Sequence, residues 1–399
     1  MNELTSVIRP GDGIIIGQAC AEAQTLVEEL VAQRAALSGC SAFLGVNYSG
    51  IIKPGNADHL RLSSYCGIGH NRVLSDARVL EILRVPYSEL GARIRARQIR
   101  ADVVFVQVSP PNPRGEYSLG LAADYLVPAL EVCRAVVGEV NDQVPWTHSE
   151  RVLSRKDFSV LIESSRTPAA APSRAAGKVE TSIARHAAPL IPDGATLEFG
   201  IGALPDAVCS SLQDHKNLKV HSGTIGDGVA DLMERGIVKS ADCAMLIGTR
   251  RLFDFARNNP AIRVRSSEYT HGAQTLSRIE SFVAINSAVE VDLTGNVNSE
   301  AANGSYVGAV GGAPDFIRAA NQSPGGVSLI LIPASRIVAT LSGPVSTPRS
   351  EAGVIVTEFG TADLRRCALR DRAQRMISIS PPHSREALER EIASRGTTY

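Results

Sequence analysis

Short runs of β-branched and other apolar residues alternate along the chain with stretches whose apolar positions recur at helical spacing. Ile14-Ile15-Ile16 and Val103-Val104-Phe105-Val106-Gln107-Val108 are apolar without a polar face, which predicts strands buried on both sides. Between them, Ala21 to Leu37 carries Leu26, Leu30 and Val31 at helical spacing and predicts a helix. Further buried strands are predicted from Cys243 to Ile247, Val327 to Ile332 and Gly353 to Thr357. Asp227-Gly228 is expected to open a helix carrying Val229 and Leu232, and another helix is expected after Thr361-Ala362-Asp363. Continuous apolar strands separated by helices define an α/β protein with parallel sheet covered on both faces.

The pattern restarts midway. Pro10-Gly11-Asp12-Gly13 leads into the first strand, and Pro192-Asp193-Gly194 leads into Thr196-Leu197-Glu198-Phe199-Gly200. Thr167 to Gly177 has a linker's Pro, Ala and Ser content. This divides the chain into two related α/β domains, 1–176 and 177–399, consistent with a length of 399 residues. Ligands of open α/β sheets sit beyond the carboxyl ends of the strands, so a cleft between the halves is the expected site.

Composition adds mainly exclusions. Hydrophobic residues make up 44% and charged residues 21%, and the net charge is zero. There is no electrostatic case for nucleic acid or an anionic membrane. The seven cysteines are scattered without a CxxC pair, which argues for reduced, buried thiols rather than disulfides or a metal site. No apolar stretch reaches the roughly 20 residues needed to span a bilayer. Met1 to Ser6 shows no secretion signal, so the cytoplasm is the expected location.

The chemistry is carried by glycine turns. Gly311-Gly312-Ala313-Pro314-Asp315-Phe316 places two glycines before a helix, where backbone N–H groups can meet a carbonyl or phosphate. Gly200-Ile201-Gly202-Ala203-Leu204-Pro205-Asp206 forms a second turn, and Gln107-Val108-Ser109-Pro110-Pro111 a third. Together with Val140-Asn141-Asp142-Gln143-Val144-Pro145, Asp254 to Pro260 and Thr357 to Leu364, these segments resemble the acetyl-CoA hydrolase/transferase family, close to 4-hydroxybutyrate CoA-transferases. The resemblance runs from Pro10 to about Ala393. It implies two similar open α/β domains of the CoA-transferase type with the active site between them. It also implies a CoA thioester as substrate and a small-molecule acceptor. No permanently bound cofactor or metal is implied, and a symmetric homo-oligomer is the default for a soluble enzyme of this type. Gly311, Gly312 and Ala313, with Gly200 and Gly202, are then the expected oxyanion- and CoA-binding backbone.

In that family a glutamate carries CoA as a glutamyl thioester. By the resemblance its place is taken here by Gly223, within His221-Ser222-Gly223-Thr224. The family's Asn corresponds to His271 and its Gln to Glu198, and the segment from Gly236 to Cys243 is shorter than usual and lacks a Lys-rich hairpin. His271 is a candidate general base for an attacking water or small nucleophile, or else a wall residue of the cleft. Glu198 is either a relocated carboxylate nucleophile or a residue that orients His271 or the acceptor. Ser222 is a candidate nucleophile beside the vacant position, and His221 reads as a wall residue. Three functions remain open on these residues. They are direct acyl transfer without a glutamyl-CoA intermediate, CoA transfer through Glu198, and a non-catalytic acyl-CoA-binding paralogue.

Overall fold

The computed structural model describes residues 3–170 and 175–394. The middle of the expected linker, 171–174, and the first two residues lie outside that description. The first sheet takes β1 (Gly13–Ile16), β2 (Ser41–Leu44), β3 (Arg61–Ser64), β4 (Leu80–Ile82), β5 (Val103–Val108) and β6 (Ala135–Asn141). The chain then sends β7 (His148–Ser149) across to the second sheet before β8 (Val160–Ser164) completes the first. The order is β8-β6-β5-β1-β2-β3-β4, all parallel.

The second sheet contains β9 (Thr196–Phe199), β10 (Leu218–Ile225), β11 (Val238–Leu246), β12 (Ile262–Val264), β13 (Phe282–Ser287), β14 (Val327–Leu331), β15 (Val354–Thr357) and β16 (Gly360–Asp363). Its order is β16-β15-β14-β13-β9-β10-β11-β12-β7. Without its two edge strands, β7 and β16, this is the order of the first sheet, so the sequence echo before β1 and β9 marks two similarly wound halves. In each half the winding reverses beside the first strand. In the second half the reversal falls between β9 and β13, where a crevice opens at the carboxyl ends.

The strands are buried as their composition predicts. All six residues of β5 and all five of β14 are buried. Two predicted elements differ. The helix expected from Ala21 to Leu37 is α1 (Gln24–Gln33), preceded by a turn at Ala19–Ala21. Its start is fixed by a distant group, because the Glu139 carboxylate on β6 accepts the N–H groups of Thr25 and Leu26. Thr361-Ala362-Asp363 belongs to β16, which pairs antiparallel with β15. Asp363 accepts from Arg365 instead of capping a helix, and the next helix begins at Leu369. Among the described residues no helix is long and apolar enough to cross a membrane.

Candidate active site

Four carboxyl-end segments of the second half converge on one cavity of about 380 Å³. Phe199-Gly200-Ile201 after β9 and Asn286-Ser287 at the end of β13 form its floor at the switch point. Gly223 and Thr224 on β10 form one side, and the loop from Val307 to Ala313 forms another. The first half closes it with Val46, Tyr65, Ile68 and Tyr87.

His271 lines the cavity from the second half. It follows the short helix α2 (Ser267–Thr270), whose start is held by the first half. Ser267 N–H donates to the Asp124 carbonyl, and the Glu150 carboxylate accepts from Ser266 N–H at 2.7 Å. Arg95 pairs with Glu268, Nη2 to Oε2 at 2.8 Å. Contacts between the halves therefore set where the imidazole lies.

The ring is sandwiched between Tyr87 and Phe316, with centroids at 4.7 and 4.5 Å. It lies over both glycines singled out in the sequence. A Cβ on Gly223 would stand 3.1 Å from Nε2, and one on Gly312 would collide with Nε2 and Cδ2. The space above Gly223 is thus filled by imidazole, and only glycine at Gly312 permits the approach.

Thr270 Oγ1 lies 3.1 Å from the Ser266 carbonyl and 2.8 Å from His271 Nδ1. When the hydroxyl hydrogen goes to the carbonyl, Nδ1 carries the ring proton and Nε2 keeps its lone pair. Burial, and then the neighbouring His221, push the pKa of His271 down to about 3, so the ring is neutral at physiological pH. His221 in turn donates Nε2–H to the Thr270 carbonyl at 2.8 Å and steadies the 270–271 segment.

Glu198 faces the same cavity and is nearly inaccessible to solvent. Its Oε2 accepts from Asn286 Nδ2 at 2.7 Å and from Ile285 N–H at 3.2 Å. Burial outweighs those bonds and raises its pKa to about 8, so it holds a proton at neutral pH. Since Oε2 accepts two hydrogen bonds, the proton belongs on Oε1.

The backbone donors come from α3 (Ala313–Gln322), which begins immediately after Gly312. The first N–H groups of a helix have no acceptor within it, and Gly312 and Ala313 both line the cavity. The helix start is tethered to the first half: Tyr87 N–H donates to the Gly311 carbonyl at 2.9 Å, and Ser88 Oγ donates to Asp315 at 2.8 Å.

Of the sequence candidates, His271, Glu198, Gly223, Gly200, Gly311, Gly312 and Ala313 meet around the cavity. Gly202 does not line it. It precedes the helix Ala203–Ser211 with φ +117° and shapes that turn. Ser222 is not brought to His271 either. Side chains alternate along β10, so Ser222 points away from the face that carries Gly223. Its hydroxyl accepts from Phe199 N–H and donates to the Phe199 carbonyl, both at 3.1 Å. Ser222→Ala is accordingly expected to lower stability by about 1–3 kcal/mol while leaving turnover within about twofold, as urea unfolding and an acyl-CoA assay would show. Sequence reasoning missed Tyr65, Tyr87, Thr270, Asn286 and Phe316. Thr270 adjoins His271 and Phe316 ends the Gly311–Phe316 segment, whereas nothing local marks the tyrosines. Among the described residues no group of three or more His, Cys, Asp or Glu side chains could hold a metal ion.

Two similarly wound α/β halves closing on a glycine-lined cavity define a protein of the CoA-transferase type. Residues 248–392 match the family model for the acetyl-CoA hydrolase/transferase C-terminal domain. The chain is 37% identical over 327 residues to the 4-hydroxybutyrate coenzyme A transferase of Clostridium kluyveri, covering 77% of this chain and 76% of that protein. Among solved structures, RipA from Yersinia pestis superposes with a TM-score of 0.94 at 27% identity, over 99% of this chain and 96% of that one. The 4-hydroxybutyrate CoA-transferase of Porphyromonas gingivalis gives 0.80 at 29% identity, over 98% and 96%. The chain belongs to the acetyl-CoA hydrolase/transferase family, enzymes of the CoA-transferase superfamily.

Proposed function

We propose that this enzyme passes the acyl group of an acyl-CoA directly to water or a small nucleophile, without a glutamyl-CoA intermediate. The observation that carries the reading is the His271 imidazole lying over Gly223 and against Gly312 in a cavity that also holds Glu198. In this reading Gly223 is where the family's glutamate would stand, and the ring has taken its space.

The thioester carbonyl sits against the amides of Gly312 and Ala313. The nucleophile's oxygen bonds to the carbonyl carbon as its proton passes to Nε2. The C–S bond then breaks, and the departing thiolate takes that proton. A ring so hard to protonate in the free enzyme is a weak base by itself. The oxyanion forming beside it supplies a counter-charge at the step where its basicity is needed. Protonated Glu198 orients the nucleophile through Oε1–H.

The main competing reading is CoA transfer to a carboxylate with Glu198 as covalent carrier, favoured by its unshared Oε1 facing the cavity. The pH dependence separates the two. If the acid form of Glu198 orients the nucleophile, kcat is flat through neutral pH and falls as pH rises through about 8. If the carboxylate is the carrier, kcat climbs over the same range and Glu198→Gln is inactive. We expect the first profile, with Glu198→Gln retaining activity and losing the alkaline fall. Stability should move with it. Because the folded pKa is raised from 4.5, the contribution of Glu198 is complete below about 4.5 and is lost as pH rises through about 8. Glu198→Gln should therefore gain on the wild type in thermal unfolding above pH 8.

The same reading makes the protein a cytoplasmic homo-oligomer with no permanently bound cofactor, and its assembly is measurable by light scattering.

A further inference from the structure

The wall contributed by the first half says what kind of acyl chain the cavity takes. Tyr65 Oη donates to Gln18 Oε1 at 2.9 Å, and Gln18 Nε2 donates to Tyr87 Oη at 2.6 Å and to Asp124 Oδ2 at 2.7 Å. Both phenol groups are thus committed to Gln18 within the wall. The two rings pack edge to face at 5.1 Å and, with Val46 and Ile68, turn hydrocarbon toward the ligand. Phe199, Met245 and Phe316 continue the apolar lining.

Among the described residues no Lys or Arg lines the cavity. Its carboxyl group is Glu198, and Asp124 stands behind Gln18, fully buried. A carboxylate on the acyl chain would lose its water and find no Lys or Arg to pair with. A hydrocarbon chain would only displace water from apolar walls.

We propose that the acyl substrate is an uncharged hydrocarbon acyl-CoA, and that dicarboxylic acyl-CoAs are rejected by the wall built from Val46, Tyr65, Ile68 and Tyr87. This rests on the cavity being the acyl-CoA site proposed above, but not on the chemistry assigned to His271. The test therefore uses thioethers that cannot react. S-Pentyl-CoA and S-(3-carboxypropyl)-CoA are titrated calorimetrically into the wild-type full-length protein at pH 7. The pentyl ligand is expected to bind about 100-fold tighter. Ile68→Arg, at a half-buried position, should shrink that ratio to about tenfold or less by supplying a counter-charge. Equal or tighter binding of the carboxypropyl ligand by the wild type overturns the proposal, as does failure of both ligands to bind. The expected preference in a protein that turns over no acyl-CoA upholds the substrate class and refutes the chemistry instead.

Discussion

His271→Ala is expected to lower acyl-CoA turnover by about 10²–10⁴-fold, the range a positioned general base contributes. The loss should fall on kcat rather than on KM, because the glycine turns around the cavity keep their sequence. Removing a ring packed between Tyr87 and Phe316 also leaves a hole, so the variant should lose about 3–5 kcal/mol of stability. His271→Gln separates the two effects. It restores bulk and a hydrogen-bonding group without an imidazole lone pair, and is expected to recover stability but not rate. A His271→Ala enzyme with full turnover would remove the base from the account.

Placing a glutamate at Gly223 is expected to fail alone and to work in company. The new Cβ would sit 3.1 Å from Nε2, and the remaining side-chain atoms would need the volume the imidazole holds. Gly223→Glu should therefore be inactive and destabilised by about 1–3 kcal/mol through overpacking. Combining it with His271→Asn gives the residues that the family resemblance assigns to these positions and vacates the ring's volume. The double variant is expected to acquire CoA transfer to a carboxylate and a glutamyl thioester that hydroxylamine intercepts. If the single variant transfers CoA as well as the double one, Gly223 and His271 are not a matched pair.

That pairing was partly legible in the sequence, because both residues fall in segments with recognisable neighbours. Its geometry was not. The ring reaches Gly223 because α2 is held by Asp124, Glu150 and Arg95, all more than a hundred residues earlier in the chain. The strands were readable because burial on both faces demands unbroken apolar runs, as in Val103–Val108. The start of α1 was not, since its cap is a glutamate on a different strand. Ser222 shows a signal that was present and unused. Period-two alternation alone puts it on the opposite face from Gly223. The wall tyrosines offered no local cue, because their hydrogen bonds to Gln18 span 47 and 69 residues.

Borohydride quenching during steady turnover of a hydrocarbon acyl-CoA, followed by peptide mass spectrometry, addresses the covalent step itself. Borohydride reduces a glutamyl thioester to an alcohol and leaves free carboxyl groups alone. We expect rapid release of free CoA with every glutamate and aspartate recovered unmodified. Recovery of Glu198, or of any other acidic residue of the chain, as the alcohol would show that the thiol is carried on the protein and contradict direct transfer.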